Sequence, residues 1–188
     1  MSNIAINYII LKHIDDESLL NIINGCTSNI HNIHLQLNDF SLEKKTSEQI
    51  KNIDNDKIQI ETFEYDYEDS SNATEIVLKN FTSYCSHNVL SIVYDNLTFY
   101  PGVIDDIDFN QLIENEMNGF IYGDYDIGSI KCYLRSHAAG LKLNIPFAFW
   151  SIKQILKHLS EENILEYMFS SYMGIHIPQS LCTVLPNE

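Results

Sequence analysis

Val89-Leu90-Ser91-Ile92-Val93-Tyr94-Asp95-Asn96 is the stretch on which the reading of the fold turns. Its first six residues are apolar apart from Ser91, they are rich in β-branched side chains, and they do not alternate with polar ones. Such a run, ended abruptly by an acid and an amide, predicts a strand buried on both faces that delivers Asp95 at its carboxyl end. Upstream, Ala73 to Cys85 sets Ile76, Val77, Phe81 and Tyr84 at helical spacing, with Ser71 or Asn72 as the cap, so the strand follows a helix.

The same alternation runs back to the start of the chain. Ile6 to Leu11 is a β-rich run, and Asp15-Asp16-Glu17-Ser18 then opens a helix whose apolar stripe, Leu19, Leu20, Ile22 and Ile23, stops near Gly25. Ile30 to Leu37 alternates and runs into the turn-like cluster Asn38-Asp39-Phe40-Ser41; a weaker helix spans Thr46 to Ile53, and Lys57 to Phe63 alternates again before the acidic loop Glu64 to Ser71. Strand and helix in repeated succession predict an α/β fold, a mainly parallel central sheet flanked by helices on both faces.

The second half reads differently. Phe109 to Asn118 is expected as a short helix, Gly119 to Tyr122 as a strand ending in Gly123-Asp124-Tyr125-Asp126, Phe147 to Leu159 as a helix carrying the only tryptophan, Trp150, and Glu161 to Tyr172 as a second amphipathic helix stopped by Gly174. Ile175-His176-Ile177-Pro178 begins a short closing strand. Without a repeat, linker or low-complexity segment, residues 1–188 are expected to form a single domain.

Composition limits the function. A formal charge of −15 over 188 residues opposes binding to nucleic acid, whose readers present basic surfaces. A nucleotide or other small anion then needs a divalent cation or a local cluster of donors. The amino terminus lacks the basic start and apolar core of a signal peptide, and no apolar run reaches the length of a transmembrane segment, so a cytoplasmic protein is expected. Cys26, Cys85, Cys132 and Cys182 have neither zinc-ligand nor disulfide-framework spacing. His31 and His34, three apart on a strand, point to opposite faces and cannot share an ion.

In open α/β sheets ligands bind outside the carboxyl ends of the strands, which makes Asp39, Asp95, Asp124 and Asp126 the candidate site residues. Each could equally cap a helix or close an Asx turn. Their order along the chain resembles family 2 glycosyltransferases of the type A fold. Leu35 to Ser41 is similar to the family's strand ending in Asp-Asp-Gly-Ser, with Asn38 and Phe40 as departures. Leu78-Lys79-Asn80 resembles its Ala-Arg-Asn helix, and Ser91 to Leu97, with Pro101-Gly102 beyond, its Asp-x-Asp strand. Phe120 to Ile127 looks like the later strand of the form apolar-Tyr-Ser-Asp-x-Asp, Asn144 to Leu156 like the acceptor-side segment, and Ser160-Glu161-Glu162-Asn163 like the Glu-Asp helix start that supplies the base.

The resemblance implies an inverting transferase moving a sugar from a nucleotide diphosphate sugar to a glycan or lipid-linked acceptor hydroxyl, as in bacterial-type surface glycan synthesis. It assigns residues 1–102 to the donor half and 103–188 to the acceptor half, with Asn38, Asp39, Asn80 and Asp95 on the nucleotide, Asp95 and Asn96 on Mg²⁺ or Mn²⁺, Asp124 and Asp126 on the acceptor side, and Glu161 or Glu162 as general base. A carboxylate-held cation would neutralise the diphosphate leaving group, and the base would take the acceptor's proton. Two departures stand out. Leu97 occupies the position of the second metal-binding acid, and Asn163 that of the second acid in the base motif, so a catalytically degenerate binding or interaction module is the alternative expectation.

Overall fold

The computed structural model describes residues 4–10, 19, 30–38, 58–63, 78, 88–93, 97–100, 102–132 and 147–184. Among the described residues nine strands form one sheet: β1 (Ile4–Ile10), β2 (Ile30–Asn38), β3 (Ile58–Phe63), β4 (Val89–Val93), β5 (Leu97–Phe99), β6 (Asn118–Ile127), β7 (Ile130–Cys132), β8 (Phe147–Ser151) and β9 (Met173–Val184). They lie in the order β3-β2-β1-β4-β8-β6-β9-β5, with β7 paired to β6. The described helices are α1 (Asn110–Glu114), α2 (Ile152–Lys157) and α3 (Ile164–Ser171). Leu19 and Leu78 are also helical, in agreement with the helices expected around them.

Four strands of the first half, β1 to β4, are parallel, as the alternation of elements predicts. The sheet as a whole is mixed, and here the expectation of a mainly parallel sheet is corrected. Four of the eight ladders are antiparallel: β4 with β8, β8 with β6, β6 with β7, and β5 with β9. The cause lies in Phe147-Ala148-Phe149-Trp150-Ser151, expected as the start of a helix and found as a strand whose five residues are all buried. Phe147 and Phe149 enter one core and Ala148 and Trp150 the other, so a strand buried on both faces carries no alternation to distinguish it from a buried helix.

The two antiparallel steps around β8 cancel, leaving β6 parallel to β4, and β9 is parallel to β6. One row of register partners crosses the sheet, from Ile60 through Leu35, Tyr8, Ser91, Phe149 and Ile121 to Ile175. Above that row every one of these strands except β8 runs in the same direction. The carboxyl ends of β1, β2, β3, β4, β6 and β9 therefore share one rim.

Each face of the sheet has its own core. One holds Ile6, Tyr8, Phe99, Phe109, Leu112, Phe147, Phe149 and Leu181, and includes Leu19 and the α1 side. The other holds Ile9, Leu90, Ile92, Phe120, Tyr122 and Trp150 under α2 and α3, which contribute Ile152, Ile155, Ile164 and Met168, together with Leu78. Edge-to-face aromatic pairs fix both: Phe149 meets Phe109 at 5.1 Å, and Phe169 of α3 meets Trp150 at 4.5 Å. Such pairs contribute about 0.5–1.5 kcal/mol each beyond the area they bury.

The closing strand is twelve residues long rather than the short one expected. Its register with β6 jumps from Ile177 to Ser180 and from Ser180 to Cys182, so Pro178, Gln179 and Leu181 are extra residues in bulges. Proline has no N–H to offer a ladder and is tolerated at such an irregularity. Gly174, expected to stop a helix, lies within this strand, where an added Cβ would overlap the rings of Phe120 and Tyr122. The Gly174→Ala variant is expected to lose about 1–3 kcal/mol of stability in urea unfolding, as for other overpacked cores; an unchanged midpoint would contradict this packing of β9 against β6.

Candidate functional site

Along β6 the even-numbered residues face the core that contains Trp150, and their chemistry changes with height. Phe120 and Tyr122 are apolar and lie in that core. Asp124 and Asp126 continue the same face towards the rim and are buried, at 4% and 8% exposure. The strand was expected over Gly119 to Tyr122 with these acids at its carboxyl end; it runs on to Ile127, and both acids are strand residues. Asp124 stands three residues above the row through Ile121, one residue beyond the level of Ile10 and Val93, the last residues of β1 and β4.

The partner strand supplies a polar counterpart. His176, opposite Tyr122, stacks on its ring at 5.1 Å and reaches diagonally to Asp124, Nε2 to Oδ1, at 2.9 Å. A cross-strand diagonal is within reach of a long side chain. The His176 side chain is 21% exposed and that of Asp124 only 5%, so the carboxylate lies behind the imidazole as seen from solvent. No special sequence motif marks His176: it sits in an apolar run expected only to close the fold, and its meeting with Asp124 depends on a strand pairing 52 residues apart.

Asp126 is held by two hydroxyls, one of which meets a third. Ser180 Oγ donates to its Oδ1 at 2.7 Å, Tyr100 Oη donates to its Oδ2 at 2.6 Å, and Tyr100 Oη lies 2.8 Å from Thr183 Oγ1. The bulges in β9 bring Ser180 and Thr183 into this position. The hydrogen bond from Tyr100, then that from Ser180, holds the Asp126 carboxyl below its ordinary range against the opposing effect of burial. The same contact raises Tyr100, whose hydroxyl is more strongly retained beside a carboxylate. Burial, with Asp124 nearby, raises Tyr122.

The other expected site residues fall in three groups. Asp39, Asn80, Asp95 and Asn96 lie outside the described residues, and of Asn38 only the backbone is described, as the last residue of β2. Glu161 and Glu162 lie in the turn between α2 and α3 rather than on the helix: Asn163 takes a left-handed conformation with φ 57° and serves as the N-cap, so α3 begins only at Ile164. The Glu161 N–H donates to the carbonyl of His158, whose ring is hydrogen-bonded to Tyr172 near the amino-terminal end of β6. Neither glutamate side chain has a hydrogen bond or ion pair among the described residues.

Leu97 is fully buried in β5 and packs in the core, both oxygens of Asp126 accept hydroxyl hydrogens, and among the described residues no group of three or more His, Cys, Asp or Glu side chains converges. A hollow of about 370 Å³ beside α1 is lined by Asp108, Asn110, Gln111, Glu114, Asn115 and Glu116, at the other end of β6 from the rim. Three carboxylates there oppose a bound diphosphate. Among the described residues no helix is long and apolar enough to cross a membrane.

No family model and no curated protein matches the sequence. Solved structures do match across almost the whole chain. A 4-diphosphocytidyl-2C-methyl-D-erythritol synthase from Anaerococcus prevotii superposes with a TM-score of 0.53 at 13% identity, over 94% of this chain and 87% of that one. The CMP:2-keto-3-deoxy-manno-octonic acid synthetase complexed with CTP gives 0.53 at 6% identity, over 96% and 91%. A mannosyltransferase from Pyrobaculum calidifontis in complex with GDP-Man and Mn²⁺ gives 0.56 at 9% identity; it is matched over 95% of this chain, which spans 56% of its length.

The chain has a nucleotide-diphospho-sugar-transferase-like fold. At these identities the comparisons establish the fold and do not extend to membership of glycosyltransferase family 2. Within this nucleotide-sugar-transferase-like fold the polar set on β6 and β9 lies at the carboxyl-end rim, where open α/β sheets bind ligands.

The Tyr100–Asp126 contact has a measurable consequence. Because the carboxyl is depressed in the folded state, the stability it contributes is present above its unfolded-state value and is lost as pH falls through the folded one. Tyr100→Phe removes the largest cause. Carboxyl-detected NMR should then show Asp126 titrating at higher pH, and the acid-unfolding midpoint should move up; an unmoved titration would contradict the contact.

Proposed function

We propose that this protein is a nucleotide-dependent transferase that moves a sugar from a nucleoside diphosphate donor to an acceptor hydroxyl, with the donor and acceptor meeting at the sheet rim above β1, β4 and β6. The observation that carries this reading is the alignment of Asp124, Asp126 and His176 with the carboxyl ends of the parallel strands in a nucleotide-sugar-transferase-like fold. In the chain itself, Asn38, Asp39 and Asn80 serve the nucleotide, and Asp95, two residues past the end of β4, faces the diphosphate. Asp124 and Asp126 line the acceptor side.

Bond exchange at the sugar's anomeric carbon develops negative charge on the departing diphosphate, and an acidic chain has few cations to meet it. A Mg²⁺ or Mn²⁺ ion held by Asp95, with the carbonyl oxygen of Asn96, would neutralise that charge. The hydroxyls around Asp126 keep its carboxylate oriented and ionised, so that it can order a sugar hydroxyl without being reshaped by the ligand. An inverting displacement also requires a general base within hydrogen-bond reach of the acceptor hydroxyl.

Asp95→Ala is expected to lower transfer from a nucleotide sugar in the presence of Mn²⁺ by about 10²-fold or more, the scale on which removing an electrostatic stabiliser acts. It should also abolish Mn²⁺-dependent binding of uridine or guanosine diphosphate in calorimetry. Undiminished transfer and binding would remove Asp95 from the site.

A second reading, a binding module that has lost catalysis, is favoured by one observation: the position expected for a second metal-binding acid is occupied by Leu97, fully buried and paired with Val184. Metal-independent binding of nucleoside diphosphate, with no transfer or donor hydrolysis by the unaltered protein, would select it.

A further inference from the structure

We infer that His176, oriented by Asp124, is the proton acceptor for the incoming hydroxyl, in place of the glutamates of the α2–α3 turn; this role rests on the transferase reading above. Three features of the geometry support it. His176 Nε2 is engaged with a buried carboxylate oxygen at 2.9 Å, so with Asp124 ionised the proton resides on Nε2 and the lone pair on Nδ1. The imidazole is partly exposed and the carboxylate is not, so the hydrogen-bonded pair opens outward through the histidine. The ring is held flat against Tyr122, with centroids 5.1 Å apart and planes 28° from parallel, which restricts its rotation and fixes the direction of Nδ1.

The imidazole is thus held on one face by an aromatic ring and on one edge by a carboxylate. Backbone constraint adds to this. The residues after His176 bulge out of register with β6, so the strand holds His176 opposite Tyr122 while Ser180 and Thr183 turn to Asp126. The titratable groups around the ring on β6 are Tyr122, Asp124 and, two residues further, Asp126, with Tyr100 beyond Asp126.

The acceptor oxygen forms its bond to the anomeric carbon as its proton passes to His176 Nδ1. The bond from that carbon to the diphosphate oxygen breaks, and its electron pair leaves with the nucleoside diphosphate. The resulting imidazolium is stabilised by Asp124, and its proton returns to solvent through the exposed side of the ring.

His176→Gln and Asp124→Asn, beside Glu161→Gln and Glu162→Gln, test the role. Glutamine retains hydrogen-bonding capacity towards Asp124 but cannot accept a proton, so His176→Gln should keep the thermal midpoint and donor affinity, measured by calorimetry with the nucleotide sugar, while its transfer rate falls about 10²- to 10⁴-fold. The limb of the wild-type pH–rate profile assigned to His176 should vanish in that variant, and the two glutamate variants should transfer at near wild-type rates. In ¹⁵N NMR the wild-type ring should be the Nε2–H tautomer, with that preference lost in Asp124→Asn.

Wild-type transfer by His176→Gln, or an Nδ1–H tautomer in the unaltered protein, would overturn the assignment and leave the transferase reading standing. Wild-type protein that neither binds nor turns over any nucleotide sugar would overturn both.

Discussion

Everything at the rim depends on one buried strand. β8 is five residues long, hydrogen-bonded to β4 on one side and β6 on the other, with phenylalanines filling one core and Trp150 the other. Because it runs antiparallel to both neighbours, it returns β6 to the direction of β4 and fixes its height. A one-residue slip of either ladder would send Trp150 into the wrong core and lift or lower Asp124 by one residue, on the opposite face. Two packed cores, each closed by edge-to-face aromatic contacts, make such a slip costly.

From that constraint the polar set follows in sequence. β6 continues beyond the last residue paired with β8 and carries Asp124 and Asp126 on the face below which Phe120 and Tyr122 are packed. β9 follows it in parallel, then bulges, and the bulges convert a regular ladder into a polar cradle: His176 on Asp124, Ser180 on Asp126, and Tyr100 bridging Asp126 to Thr183. Carboxylates buried to this degree would be costly if unpaired; here each has a partner with hydrogen-bond geometry, so both remain available as fixed charges at the edge of the sheet.

The first half of the fold was legible because its strands and helices alternate with clear periods: β1, β2, β3 and β4 fall within a residue or two of the apolar runs that announce them. The second half was obscured by burial. Phe147 to Ser151 has no polar face, and the helical Ile152–Lys157 segment follows it directly, so one continuous apolar stretch read as one helix. Gly174 read as a helix stop, yet it lies inside β9, where rings from β6 leave no room for a Cβ, and Pro178, expected within a short strand, sits in a bulge of a long one. Asp124 and Asp126 could be selected as strand-borne acids near a rim. His176 could not, since the register that joins it to Asp124 exists only in three dimensions. Glu161 and Glu162 resembled a helix start, but Asn163, not either glutamate, occupies the cap.

The central claim is that the carboxyl-end rim, levelled by β8, is where a nucleotide sugar meets this chain. Backbone NMR of the labelled protein titrated with a nucleoside diphosphate and Mn²⁺ tests it most directly. The claim predicts shifts concentrated on amides near Ile10, Val93, Asp124 and His176, with Asn88, Gly119 and the Asp108–Glu116 hollow unmoved. Shifts confined to the hollow or to the amino-terminal ends of the strands, or no shifts at saturating nucleotide, would contradict it.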